Sequence, residues 1–85
     1  VLEKIPASLA QKVAESINIP VIGIGAGGGV DGQVLVLHDM IGMTQEFHPR
    51  FLRRYMSLHE EMTTAISEYV SDVKSSEFPN ENEQY

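Results

Sequence analysis

The 85 residues suffice for one small domain at most, and twelve acidic side chains against six basic ones leave a formal charge of −6. That balance disfavours nucleic acid and anionic membrane as partners, because both need a cationic footprint. With no cysteine there is no disulfide framework and no thiolate metal site, which fits a reducing compartment and an expected cytoplasmic location.

Taken in chain order, Val1-Leu2-Glu3 reads as the last residues of a strand, opening without an initiator methionine. Pro6 suits the first turn of a helix, where its missing N–H costs nothing. Leu9, Val13 and Ile17 recur every four residues beside Ala10 and Ala14, giving that helix one apolar face until Asn18 and Pro20 end it. Ile19 to Ile24 is a continuous, β-branched apolar run bounded by Pro and Gly, as in a strand buried on both faces. A loop of glycines, Gly25 to Gly29, follows, and Val34 to Leu37 reads as a second short buried strand closing on His38 and Asp39.

From Pro49 the pattern becomes helical again, with Phe51, Tyr55, Leu58, Met62, Ala65, Tyr69 and Val73 stepping by three or four. Ser57 and Glu60 form an S-x-x-E capping box inside that stripe, which predicts a helix pair, about 49–56 and 58–74. Phe78-Pro79 stops the pattern, so residues 1–79 form the structured part and 80–85 are expected to be a mobile tail. No apolar run approaches the roughly 18 residues of a membrane-spanning helix, and no basic start followed by an apolar stretch marks a secretory signal.

Alternating strands and helices imply a parallel α/β sheet with crossover helices. Partial parallel strands need cover on both faces, and only one side's worth of helices is present. The stretch therefore reads as the closing portion of a larger sheet or barrel.

Gly23-Ile24-Gly25-Ala26-Gly27-Gly28 matches G-x-G-x-x-G and follows a strand. A dinucleotide site, however, needs the last glycine to open a helix. Here Val30 to Gln33 leads into another strand, and the acidic residue expected about 20 positions later has no clear counterpart. The bland reading is glycines that permit positive φ or close backbone approach at a strand end. In a barrel such a loop also lies on the catalytic face.

Glu3 is the more informative acid. It closes a strand just before a helix, where parallel α/β folds place their chemistry, and a carboxylate there can serve as general base. The alternative is that it merely caps the helix that follows. His38-Asp39 holds the equivalent place after the last strand, but neighbours in extended structure point to opposite sides, so holding loops in place is favoured over a metal or a proton relay. His48 and His59 read as solvated, and Arg50, Arg53, Arg54 and Lys74 as solvated surface or subunit contact in preference to a phosphate site. The apolar stripe from Met62 to Val73 reads as core or interface. No serine–histidine–acid set, HExxH, P-loop or calcium loop is present.

Four stretches together resemble the ketopantoate hydroxymethyltransferase family. They are Val1-Leu2-Glu3 with Pro6, the run from Ile19 to Gly27 (IPVIGIGAG), Asp31 to Asp39 (DGQVLVLHD), and the close from Tyr69 to Phe78-Pro79. The resemblance runs along the whole chain, in the family's order and spacing, and corresponds to the family's C-terminal portion.

The resemblance implies a (β/α)8 TIM barrel of the phosphoenolpyruvate/pyruvate superfamily, assembled as a homo-oligomer. It also implies transfer of a hydroxymethyl group from 5,10-methylenetetrahydrofolate to 3-methyl-2-oxobutanoate, giving 2-dehydropantoate for pantothenate synthesis. The family's proton acceptor lies in its VLE motif, which falls on Glu3. A bound Mg2+ polarises the 2-oxo acid, and the resemblance places its ligands on earlier strands than these, so no cofactor or metal ligand is expected among these residues and the segment alone is expected to be inactive. The rival expectation is a small non-catalytic protein that self-associates through its helical stripe.

Overall fold

Two opposed demands shape this chain: apolar, β-branched runs that must be buried, and too few elements to bury them. A computed structural model describes residues 1–85. In order it contains strand β1 (Leu2–Glu3), helix α1 (Ala7–Ser16), strands β2 (Ile22–Ile24) and β3 (Gly32–Gln33), a one-turn helix α2 (Leu37–Met40) and a long helix α3 (Leu58–Ser75). The strands form one parallel sheet in the order β1-β2-β3, with Leu2 opposite Gly23, Glu3 opposite Ile24, Ile22 opposite Gly32 and Gly23 opposite Gln33. The expected α/β class with parallel pairing and a crossover helix is what forms; three strands do not close a barrel.

The core is small and lies about α1 and β2. Ala10 of α1, Val21 at the entrance to β2 and Ala26 just beyond it are buried. Along β2 burial alternates, with Val21 and Gly23 buried and Ile22 and Ile24 only half so. The entrance to β2 is fixed by one side chain: Asp31 Oδ2 accepts from Val21 N at 2.7 Å while the Asp31 N–H donates back to Val21 O at 2.9 Å. Gln33 Nε2 donates to Gly27 O at 2.7 Å and ties the glycine loop to β3. That loop leads into a strand and not a helix, so the dinucleotide fingerprint lacks the helix its last glycine should open.

Three sequence-based expectations are corrected. The strand predicted at Val34–Leu37 lies earlier, at Gly32–Gln33. Val34 N still reaches Gly23 O at 3.1 Å, but Gly25 turns away with φ 63° and leaves Leu35 no ladder partner; Leu37, His38 and Asp39 then wind into α2. The helix predicted over 49–56 does not form, so the expected helix pair is the single helix α3. Arg54 supplies the reason: its Nη2 donates to the carbonyls of Thr44 (2.6 Å), Gln45 (3.1 Å) and Phe47 (3.3 Å), gathering the segment into a loop that satisfies its own carbonyls. The Ser57–Glu60 capping box does not form either, for Ser57 makes no side-chain cap. The first amides of α3 are taken by backbone instead, Leu58 N by Ile41 O at 3.0 Å and His59 N by Gly42 O at 3.1 Å.

The result is extended. The radius of gyration is 21.3 Å, against about 12 Å for a compact domain of this length. The accessible surface is 6880 Å², where a compact monomer of this mass exposes about 5,000 Å². Much of the excess is α3, which buries none of its eighteen residues. After it, Phe78 packs edge-on against Tyr69 at 5.6 Å between ring centres. A turn at Asn80–Glu83 closes with Glu83 N donating to Asn80 O at 3.0 Å. No helix is long and apolar enough to cross a membrane.

Candidate functional site

Parallel strands all end on one side of their sheet, and loops that leave that side are free to vary without disturbing the ladder. Here the rim collects Glu3 and Lys4 from β1, Gly25 to Gly29 from β2, and Val34 from β3. Because paired residues share a side of the sheet, Glu3 stands with Ile24 and Ile22, on the less covered side. Leu2 stands with Gly23 on the buried one. The Glu3 carboxylate is exposed and takes part in no hydrogen bond. In particular it does not cap α1, whose first turn contains no acid and whose N-cap residue, Pro6, offers no side-chain acceptor. The bland role for Glu3 is therefore not the one it plays in this structure.

Beside it opens a cleft of about 480 Å³ that the sequence did not predict in this form. One wall is the β1–α1 turn from Lys4 to Ala7, the floor is Gly25 and Gly27, and the far wall is Pro49-Arg50-Phe51. Glu3 is not part of the lining. Gly25 makes the cleft possible in two ways. Its φ of 63° lies where side chains are rarely held, and a Cβ there would stand 2.8 Å from the Phe51 ring. Lys4 carries a real side chain at a φ of 51°, a conformation that costs a non-glycine residue about 1–3 kcal/mol. Its amide is held there by Ile24 O at 2.9 Å.

The remaining sequence candidates separate. His38 is exposed and Asp39 half-buried on the single turn of α2. The carbonyl of His38 accepts from Met43 N at 2.8 Å, so what this residue holds in place it holds through its backbone. His48 and His59 are exposed. No three histidine, aspartate or glutamate side chains come together as a metal site. Lys4, Arg50 and Phe51 were missed as cleft residues. Arg50 and Phe51 looked like parts of a helix face, and nothing in their spacing showed that Arg54 would gather the carbonyls of Thr44, Gln45 and Phe47 into a loop there.

Against known proteins, the pattern of the family described as ketopantoate hydroxymethyltransferase matches residues 1–81. The 3-methyl-2-oxobutanoate hydroxymethyltransferase of Flavobacterium johnsoniae is 75% identical over all 85 residues, and that of Christiangramia forsetii 72%. The corresponding protein of Parabacteroides distasonis is 69% identical over the same length. The chain spans 31% of the length of each of these curated relatives. With the family's pattern running through both the rim and the long helix, this chain belongs to the ketopantoate hydroxymethyltransferase family.

Proposed function

We propose that this chain forms part of the catalytic rim of a (β/α)8 barrel, assembled as a homo-oligomer, that transfers a hydroxymethyl group from 5,10-methylenetetrahydrofolate to 3-methyl-2-oxobutanoate, and that Glu3 is its general base. The observation that carries the reading is an unengaged carboxylate at the C-terminal end of a parallel strand, on the less covered side of the sheet.

The chemistry asks for such a group. Before C3 of the oxo acid can bond to the one-carbon unit its proton must leave, and the electron pair passes toward the 2-oxo oxygen. Glu3 accepts that proton, a contribution typically worth about 10²- to 10⁴-fold. Stabilising the charge on the oxygen falls to groups this chain does not hold. The magnesium ligands belong, in this proposal, to parts of the family's proteins beyond these residues.

The test uses a chimera in which these 85 residues replace the stretch they align with in the Flavobacterium johnsoniae relative. Glu3→Gln is expected to slow deuterium uptake at C3 of the oxo acid by about 10²-fold or more, with the melting temperature unchanged. Uptake at the parental rate would remove Glu3 from the role.

A further inference from the structure

The cleft beside Glu3 gathers two cations, Lys4 and Arg50, in a chain that has only six. They come from segments nearly fifty residues apart, so their meeting is a product of the fold and not of a local charge run. Neither side chain appears in any hydrogen bond of the structure, and no carboxylate pairs with either. Two free cations facing one concavity raise the local concentration of anions there, although the chain as a whole is acidic. The same cleft holds Phe51 over the bare backbone of Gly25, an apolar surface suited to a flat ring.

Size decides between the anions that the proposed reaction offers. A volume of about 480 Å³ falls in the range that holds a drug-sized ligand, and a five-carbon oxo acid fills little of it. The oxo acid's carboxylate is also only two bonds from the carbon that Glu3 deprotonates, whereas Glu3 does not line this cleft. We infer that the cleft is a subsite for an aryl polycarboxylate, with Lys4 and Arg50 receiving its carboxylates and Phe51 its ring. In the reaction proposed above, on which this inference rests, that ligand is the one-carbon donor, held by its aminobenzoyl ring and glutamyl tail.

The experiment measures both substrates in the same chimera, with donor carrying one or four glutamyl residues. Lys4→Ala and Arg50→Ala should each raise KM for the donor about tenfold, as expected for loss of a charge-assisted hydrogen bond. The rise should be larger for the tetraglutamate, while kcat and the oxo-acid KM stay unchanged. Lys4→Arg and Arg50→Lys should restore most of the affinity, which separates lost charge from lost folding. Direct titration with tetrahydrofolate tetraglutamate gives a readout independent of turnover, and the double alanine variant should lose that binding. An unchanged donor KM overturns the inference, and so does an effect confined to the oxo-acid KM, which would assign the cations to the smaller substrate. Donor binding that depends on Lys4 and Arg50 in a chimera without transferase activity would sink the proposed reaction and leave the subsite standing.

Discussion

Two helix ends in this molecule have the same geometry and opposite surroundings. Both α2 and α3 finish with a left-handed residue whose following amide reaches back five positions. Met43 N donates to His38 O at 2.8 Å after Gly42 (φ 72°), and Glu77 N to Asp72 O at 2.9 Å after Ser76 (φ 61°). The first lies under the backbone of Met56, and a Cβ on Gly42 would run into the Met56 carbonyl. The second stands in solvent, where a serine side chain meets nothing. Local hydrogen bonding alone can build such a helix end; tertiary contact decides whether only glycine is tolerated.

The same contrast runs through the whole chain. All five buried residues fall between Ala10 and Gly42, in the sheet, the glycine loop and their supports. Beyond Leu58 nothing is buried, although Ile66, Tyr69 and Val73 carry an apolar face as regular as any in the chain. A hydrophobic stripe specifies that something will cover it, but not what.

That comparison can be broken in three places. Gly42→Ala should give the largest effect, since the left-handed strain alone costs about 1–3 kcal/mol and the clash with fixed backbone adds to it. Urea unfolding of the chimera is expected to show a loss of about 3 kcal/mol or more; a loss below 1 kcal/mol would mean that Met56 yields. Asp31→Ala should follow, because it leaves the Val21 amide without its acceptor, at a cost of about 1–3 kcal/mol. Asp31→Asn, which keeps a carbonyl there, should recover most of it in the same measurement. Ile66→Glu should have the smallest effect in the 85-residue chain, within about 0.5 kcal/mol, because the site is exposed and the two residues differ little in helix propensity. Circular dichroism at 222 nm checks it, and a marked loss of helix would show that α3 is packed after all. In the chimera the same change tests whether the rest of the relative covers the stripe.

Elements built on short-range rules were legible from the residues alone. The helix after Pro6, the strand ahead of the glycines and the long amphipathic helix all came from spacing and from the two strongest backbone punctuators, Pro and Gly. Glu3 at a strand end was legible for the same reason, as its place depends only on where β1 stops. The errors share a different origin. The second strand slipped to Gly32–Gln33 because a ladder needs a partner, and β2 has turned away at Gly25 before Leu35 can pair. The first half of the predicted helix pair was lost to one guanidinium satisfying three carbonyls from residues seven to ten positions away.

By itself, then, the sequence determined the parallel α/β class, the acid at the strand end and the glycine loop, since each follows from period, β-branching or backbone freedom within a few residues. Only the tertiary structure decided that Lys4, Arg50 and Phe51 share one cleft, that Glu3 stands outside its lining, and that Gly42 must be glycine. Those outcomes depend on distances between segments far apart in the chain, which hydrogen bonds such as those of Arg54 and Lys4 set and which no local spacing encodes.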